Sequence, residues 1–209
     1  MINLTVTKDL DNDFIYVQQC LGDLQRKAPN ALRNAVNQTA RRYRDEVQKR
    51  VQSEFVIAKK SMVSKNNLMK IRQAKVSDMT AVLTSKGEMS ELMQFEAKPK
   101  KVTNDYKRKP KSYSARVLSD SSLKELNGNP KPFVVRFKSG HVAMVARVPG
   151  KRMQTNPEKE FMKKLLSPAV PHMIENDKVD AQRLAADMAR NEMTSLINAQ
   201  IDKILGGKR

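Results

Sequence analysis

The chain has 209 residues, enough for one sizeable domain or a domain with arms. Lys and Arg total 40 against 22 Asp and Glu, a formal net charge of +18, so a polyanion is the expected neighbour and nucleic acid the first candidate. No apolar run approaches the roughly 20 residues of a membrane helix, residues 1–10 lack the basic-then-apolar order of a secretory signal, and the single Cys20 excludes an intrachain disulfide framework and a cysteine-rich zinc site.

A reducing compartment is the natural reading of that lone thiol. Hydrophobic residues make up 39% and aromatic residues 5%, with no Trp, so the core is thin for the length. Part of the chain is expected to order only against partners.

The charge is segregated. Residues 1–30 are net −1, residues 31–75 net +9, residues 76–97 net −3, residues 98–152 net +12 and residues 153–209 net +1. Solubility alone gives no reason for two basic blocks, although two solvated basic faces would give the same pattern.

Residues 1–28 are expected to be an arm or short helix. Leu10, Phe14, Val17 and Leu21 share one face of a helix from about 9 to 24, and Cys20 beside them is expected to be a buried thiol. Asp9, Asp11 and Asp13 mimic the start of a calcium loop. Phe14 stands where Gly is required and Cys20 where Glu is required, so the match is rejected.

Pro29 suits a first helical turn. Leu32, Val36, Ala40, Tyr43, Val47 and Val51 then recur every three or four residues, which predicts a helix from about 29 to 53. Arg41, Arg42, Arg44 and Lys49 are assigned to its opposite face. Asp45 with Lys49, and Glu46 with Arg50, are expected i,i+4 pairs.

Residues 58–66 predict a short basic helix. Met69–Ser77 and Met79–Ser85 favour strands. Residues 98–113 hold seven basic residues, one acid and two prolines without apolar periodicity, which predicts an extended, mobile basic loop outside the core. In it, Tyr106 and Tyr113 are candidates for stacking on bases.

Phe133–Val148 is the best hairpin. A two-residue turn at Ser139-Gly140 sets Phe137 opposite Val142, Val135 opposite Met144 and Phe133 opposite Ala146, all on one apolar face. Pro149-Gly150 is expected to end it. A last helix is predicted from about 178 to 205, capped by Asn176 or Asp177 and stopped by Gly206-Gly207. Its apolar stripe drifts around the helix. That drift predicts a bend or a second, subunit-facing surface carrying Met193, Leu196, Ile197, Ile201 and Ile204.

Catalytic signals are scarce. His141 follows the hairpin turn and His172 sits in Pro-Ala-Val-Pro-His-Met, both ordinary structural positions. No phosphate-cradling Gly-rich loop or nucleophile elbow is present. The expectation is no enzyme, no cofactor and no metal. The polyanion contacts are assigned to Lys98, Lys100, Lys101, Lys107, Arg108, Lys109 and Lys111, with the Arg41, Arg42 and Arg44 face as second choice.

The fold class expected is α+β: a small antiparallel sheet with a central hairpin, packed by long N- and C-terminal helices, with an extended basic loop. The α+β core spans 29–175 and the C-terminal helix 176–209. The order of features resembles the minor tail protein Z family, the tail completion proteins of lambda-like long-tailed phages. The likeness runs from a helix carrying Ala31-Leu-Arg-Asn-Ala-Val-Asn-Gln-Thr-Ala40 through Val145-Ala-Arg-Val-Pro-Gly-Lys151 and Leu166-Ser-Pro-Ala-Val-Pro-His-Met173 to the last helix.

That resemblance implies a structural virion protein in the tail or neck, present in the host cytoplasm during assembly. It implies a homo-oligomeric ring, sixfold, beside neighbouring neck and tail proteins. Genomic DNA would pass through the ring and be held without sequence reading, and no membrane would be involved. The other reading from the charge is a non-virion nucleic-acid-binding protein, architectural or ribosome-associated.

Overall fold

The computed structural model of the chain describes residues 2–6, 10–102 and 110–206. Its organising element is α2, Ala28–Glu54, with Pro29 in its first turn. The predicted stripe is buried along its whole length, from Leu32, Val36 and Ala40 to Tyr43, Val47 and Val51, and Ala28 extends it. Helix α1, Leu10–Leu21, packs on it through Val17 and Leu21. Cys20 lies one step off that stripe and is exposed, so the expected buried thiol is corrected.

A three-stranded antiparallel sheet, β1 (Ile2–Val6), β2 (Lys70–Arg72) and β3 (Ala81–Ser85) in the order β1-β3-β2, meets α2 through its central strand β3. The predicted basic helix is split into a 3-10 turn at Lys60–Val63 and the four-residue α3 at Lys65–Leu68.

The last helix is three pieces. Helix α5, Ala181–Asp187, leads into a π turn at Met188–Glu192 and then α6, Met193–Gly206. It starts later than predicted because residues 176–180 form a turn, with the Lys178 N–H donating to Asn176 Oδ1 at 3.0 Å and Asp180 left-handed at φ 48°. The π turn explains the drifting stripe. Leu184, Met188, Met193, Ile197 and Ile201 are all buried against the core, and the single five-residue step spans the widened turn. A straight helix would swing Met193 by about 140° from Met188; the wider turn restores the face.

Met193, Leu196, Ile197 and Ile201 therefore pack inside their own protomer, with Ile204 half-buried beside them. For those four the subunit-facing assignment is corrected, because their side chains are buried in the protomer's own core; Ile204 keeps part of its surface exposed.

A second, smaller core gathers Leu92, Ala97, Tyr113, Ala115, Val134 and Met144. It is built from β5 (Glu96–Lys98), β6 (Ser114–Arg116) and β7 (Lys124–Glu125), and from β8 (Phe133–Arg136), β9 (Val142–Met153) and β10 (Asn156–Lys164), each trio antiparallel. The two-stranded pair β4 (Ser90–Glu91) and β11 (Leu166–Ser167) joins the halves, and α4 (Val170–Ile174) returns the chain to the main core. Val117 packs against both clusters. The fold is α+β, as expected, with four small antiparallel sheets among the described residues where one was predicted.

The hairpin forms with a shifted register. Phe133 pairs Val145, Val134 pairs Met144 and Val135 pairs Ala143. The loop has three residues, Lys138-Ser139-Gly140, closed by the Phe137 N–H donating to the His141 carbonyl at 2.8 Å. Gly140 at φ +81° supplies the left-handed position that such a loop needs. A one-residue shift exchanges the faces of a strand, so Val134, not Phe133 and Val135, is the buried residue of β8. Pro149-Gly150 does not end the hairpin. Gly150, at φ +75°, carries β9 past an irregular pairing into a long ribbon with β10.

Candidate polyanion-facing surface

The basic loop leaves the end of β5 and returns at the start of β6. Lys98 pairs with Ser114 across the ladder, so both ends of the loop are pinned to one place. Lys98 is partly neutralised: its Nζ lies 2.9 Å from Glu96. Arg116 holds the same carboxylate at 2.6 Å. The hydrogen bonds from Lys98 and Arg116 keep the Glu96 carboxyl below its ordinary range, outweighing the opposing effect of burial.

Lys100, Lys101 and Lys111 are exposed. Lys107, Arg108, Lys109 and Tyr106 lie outside the described residues. Tyr113 is buried in the second core, which corrects its assignment as a base-stacking ring. Val102 also packs on that core, so the ends of the loop are less detached than composition implied.

At the foot of the loop, a cleft of about 340 Å³ brings Lys111, Lys131 and Arg147 together with Phe133. The Arg147 guanidinium sits 5.5 Å from the Phe133 ring centroid, a cation–π distance. Lys131, Arg147, Lys151 and Arg152 were not singled out from sequence. They belong to the same net +12 block, and that block was the signal that pointed to them.

Beyond Arg147 the β9–β10 ribbon is exposed over most of Pro149–Lys159. Lys151 lies 4.6 Å over the Phe161 ring, and the Arg152 guanidinium donates to the Glu158 carbonyl at 3.2 Å. Glu91 anchors the base of this sheet, with Lys164 at 2.5 Å and His141 at 2.7 Å. Burial alone would raise the Glu91 carboxyl. Hydrogen bonds from Lys164 and His141 outweigh burial and hold it below its ordinary value.

The arginines of α2 do not form one face. Arg42 pairs with Glu192 at 3.4 Å, and Arg44 is half-buried 3.7 Å from Asp45. Of the described arginines of α2, Arg41 alone is exposed without an ion pair. Of the two predicted helix pairs, Glu46–Arg50 forms at 3.8 Å. Asp45 instead takes Lys65 from α3 at 2.6 Å.

Among the described residues no group of three His, Cys, Asp or Glu side chains is placed to hold a metal, and no helix is long and apolar enough to cross a membrane. His172 is exposed 3.2 Å from Glu175. No protein-family model matches the chain, and no curated protein or solved structure matches it either.

Proposed function

We propose that this chain is a structural virion protein. It completes the tail of a long-tailed phage and helps to join tail to head at the neck, as an oligomeric, sixfold ring around the DNA channel. The carrying observation is the β9–β10 ribbon. A two-stranded ribbon with both faces in solvent gains little from its own protomer. This one is exposed over most of Pro149–Lys159 and contains the Arg147–Lys151 segment of the family resemblance. Docking on a neighbouring subunit or neck protein supplies the burial it lacks. In a ring, each subunit adds its Lys98–Lys111 loop to a lumen, where repeated cations hold a duplex by charge.

The free nucleic-acid-binding reading explains the same charge without the ribbon. Light-scattering mass of the purified protein, with and without nuclease, separates the two. A discrete ring mass that survives nuclease is the expected result. A monomer that grows only with nucleic acid would sink the ring and favour the other reading. In particles, replacing Lys107, Arg108, Lys109 and Lys111 with Ser is expected to lower DNA retention and infectious yield. Unchanged yield removes the loop's electrostatic role.

A further inference from the structure

Most basic side chains of the second half of α2 are matched by carboxylates. Arg42 has Glu192, Arg44 has Asp45, and Lys49 and Arg50 share Glu46. The first half is different. Between α2, α6 and the 73–76 loop lies a trough of two adjoining parts, about 470 Å³ and 410 Å³, which share Asn34, Gln200 and Lys203.

Its cations are Lys27, Arg33, Arg41, Lys75 and Lys203. Among the described residues no carboxylate lines either part, and none of the five cations makes an ion pair. Such a cluster of like charges is unfavourable in the free protein. Side-chain amides supply most of the remaining polar lining.

We propose that this trough is a binding track for the phosphate backbone of nucleic acid. Length argues for a chain of phosphates over a single one. From Lys27 to Arg41, α2 advances about 21 Å at 1.5 Å per residue, and cations occur along that whole distance. The lining argues for nucleic acid over insertion into a membrane, which needs an apolar face. Here cations and amides dominate, the groups that bond phosphate and sugar oxygens. None of the described residues of the Lys98–Lys111 segment lines the trough, and the proposal stands whether or not the chain belongs to a virion.

The test uses the full chain and fluorescently labelled DNA, duplex and single-stranded, followed by anisotropy across a salt series. The variant Arg41→Gln, Lys75→Gln, Lys203→Gln alters exposed side chains only. A control of equal charge change, Lys49→Gln, Lys65→Gln, Lys178→Gln, alters cations already paired with carboxylates and assigned no part in binding. Unchanged thermal unfolding of both establishes that each is folded.

The expected result is a trough variant whose salt slope is shallower by about 2 to 3 on duplex, near 0.9 per lost contact. Its affinity falls by at least about tenfold, while the control keeps most of the parent slope. Equal losses in both variants would show that net charge alone binds, and would overturn the track. So would a parent protein that ignores DNA, or one that binds vesicles of anionic phospholipid in its place.

Discussion

Asn37, buried on α2, grips the backbone of Ala74 with both ends of its amide. Its Nδ2 donates to the Ala74 carbonyl at 3.1 Å and its Oδ1 accepts from the Ala74 N–H at 2.8 Å. The loop after β2 is thus seated on the helix 37 residues before it. The pair satisfies two buried backbone groups that no strand ladder reaches, and it builds one wall of the cationic trough.

Replacing Asn37 with Ala leaves both Ala74 groups without that partner. The expected loss is about 2 to 4 kcal/mol, since each buried unsatisfied group costs about 1 to 3 kcal/mol. Urea unfolding measures it. Asn34→Ala, one turn earlier and exposed, is the control and is expected to change stability by no more than about 0.5 kcal/mol. Equal effects at both positions would mean that the Ala74 clamp contributes nothing.

Tyr43 ties α2 to the start of α5. It is 1% exposed, and its hydroxyl donates to the Ala181 carbonyl at 3.0 Å. Burial pushes the phenol well above its ordinary value of 10.0, and the nearby Arg50 charge offsets only part of that rise. A group whose folded pKa is raised holds its full stabilisation below the unfolded value and loses it as pH climbs past that value. Stability should therefore decline above pH 10.0, where the unfolded tyrosine ionises and the folded one does not. Tyr43→Phe is expected to cost about 1 to 2 kcal/mol at neutral pH and to flatten the alkaline decline relative to the parent. Parallel alkaline curves for the two proteins would contradict this account.

The π turn at Met188–Glu192 makes a register prediction. Deleting the exposed Arg190 shortens the step from Met188 to Met193 to four residues, which an ordinary α-helix accommodates on one face. The expected outcome is a folded protein with its thermal midpoint within about 4 °C of the parent, a shift equivalent to about 1 kcal/mol. Deleting the exposed Ala199 in α6 instead rotates Ile201 out of the core by about 100°, and a loss above about 3 kcal/mol is expected. Circular dichroism melts distinguish the two. A severe loss from the Arg190 deletion would show that the widened turn is needed for something other than phase.

The helices were legible because their signal is local. The stripe Leu32, Val36, Ala40, Tyr43, Val47 and Val51 repeats at the helical period within one segment, and it is buried as that period requires. The charge blocks were equally plain, because charge is counted without knowing a partner. The strands β1 and β10 were missed: β1 lies far in sequence from its partner β3, and β10 is too polar to alternate. Of the basic surface, the loop lysines and Arg41 were named from sequence, but Lys131, Arg147 and the other trough cations, Lys27, Arg33, Lys75 and Lys203, were not.

Sequence by itself determined where charge concentrates, that α2 has one apolar face, and that the fold mixes helices with antiparallel strands. Tertiary structure alone decided which cations are free. Arg41 and Arg42 are neighbours of the same type, yet one pairs with Glu192, 150 residues away, and the other faces a trough without carboxylates. It also decided the hairpin register and the placing of Met193 to Ile201 inside the protomer. The physical reason is common to all three. Burial and pairing are set by whatever lies opposite a side chain, and that neighbour comes from a distant part of the chain.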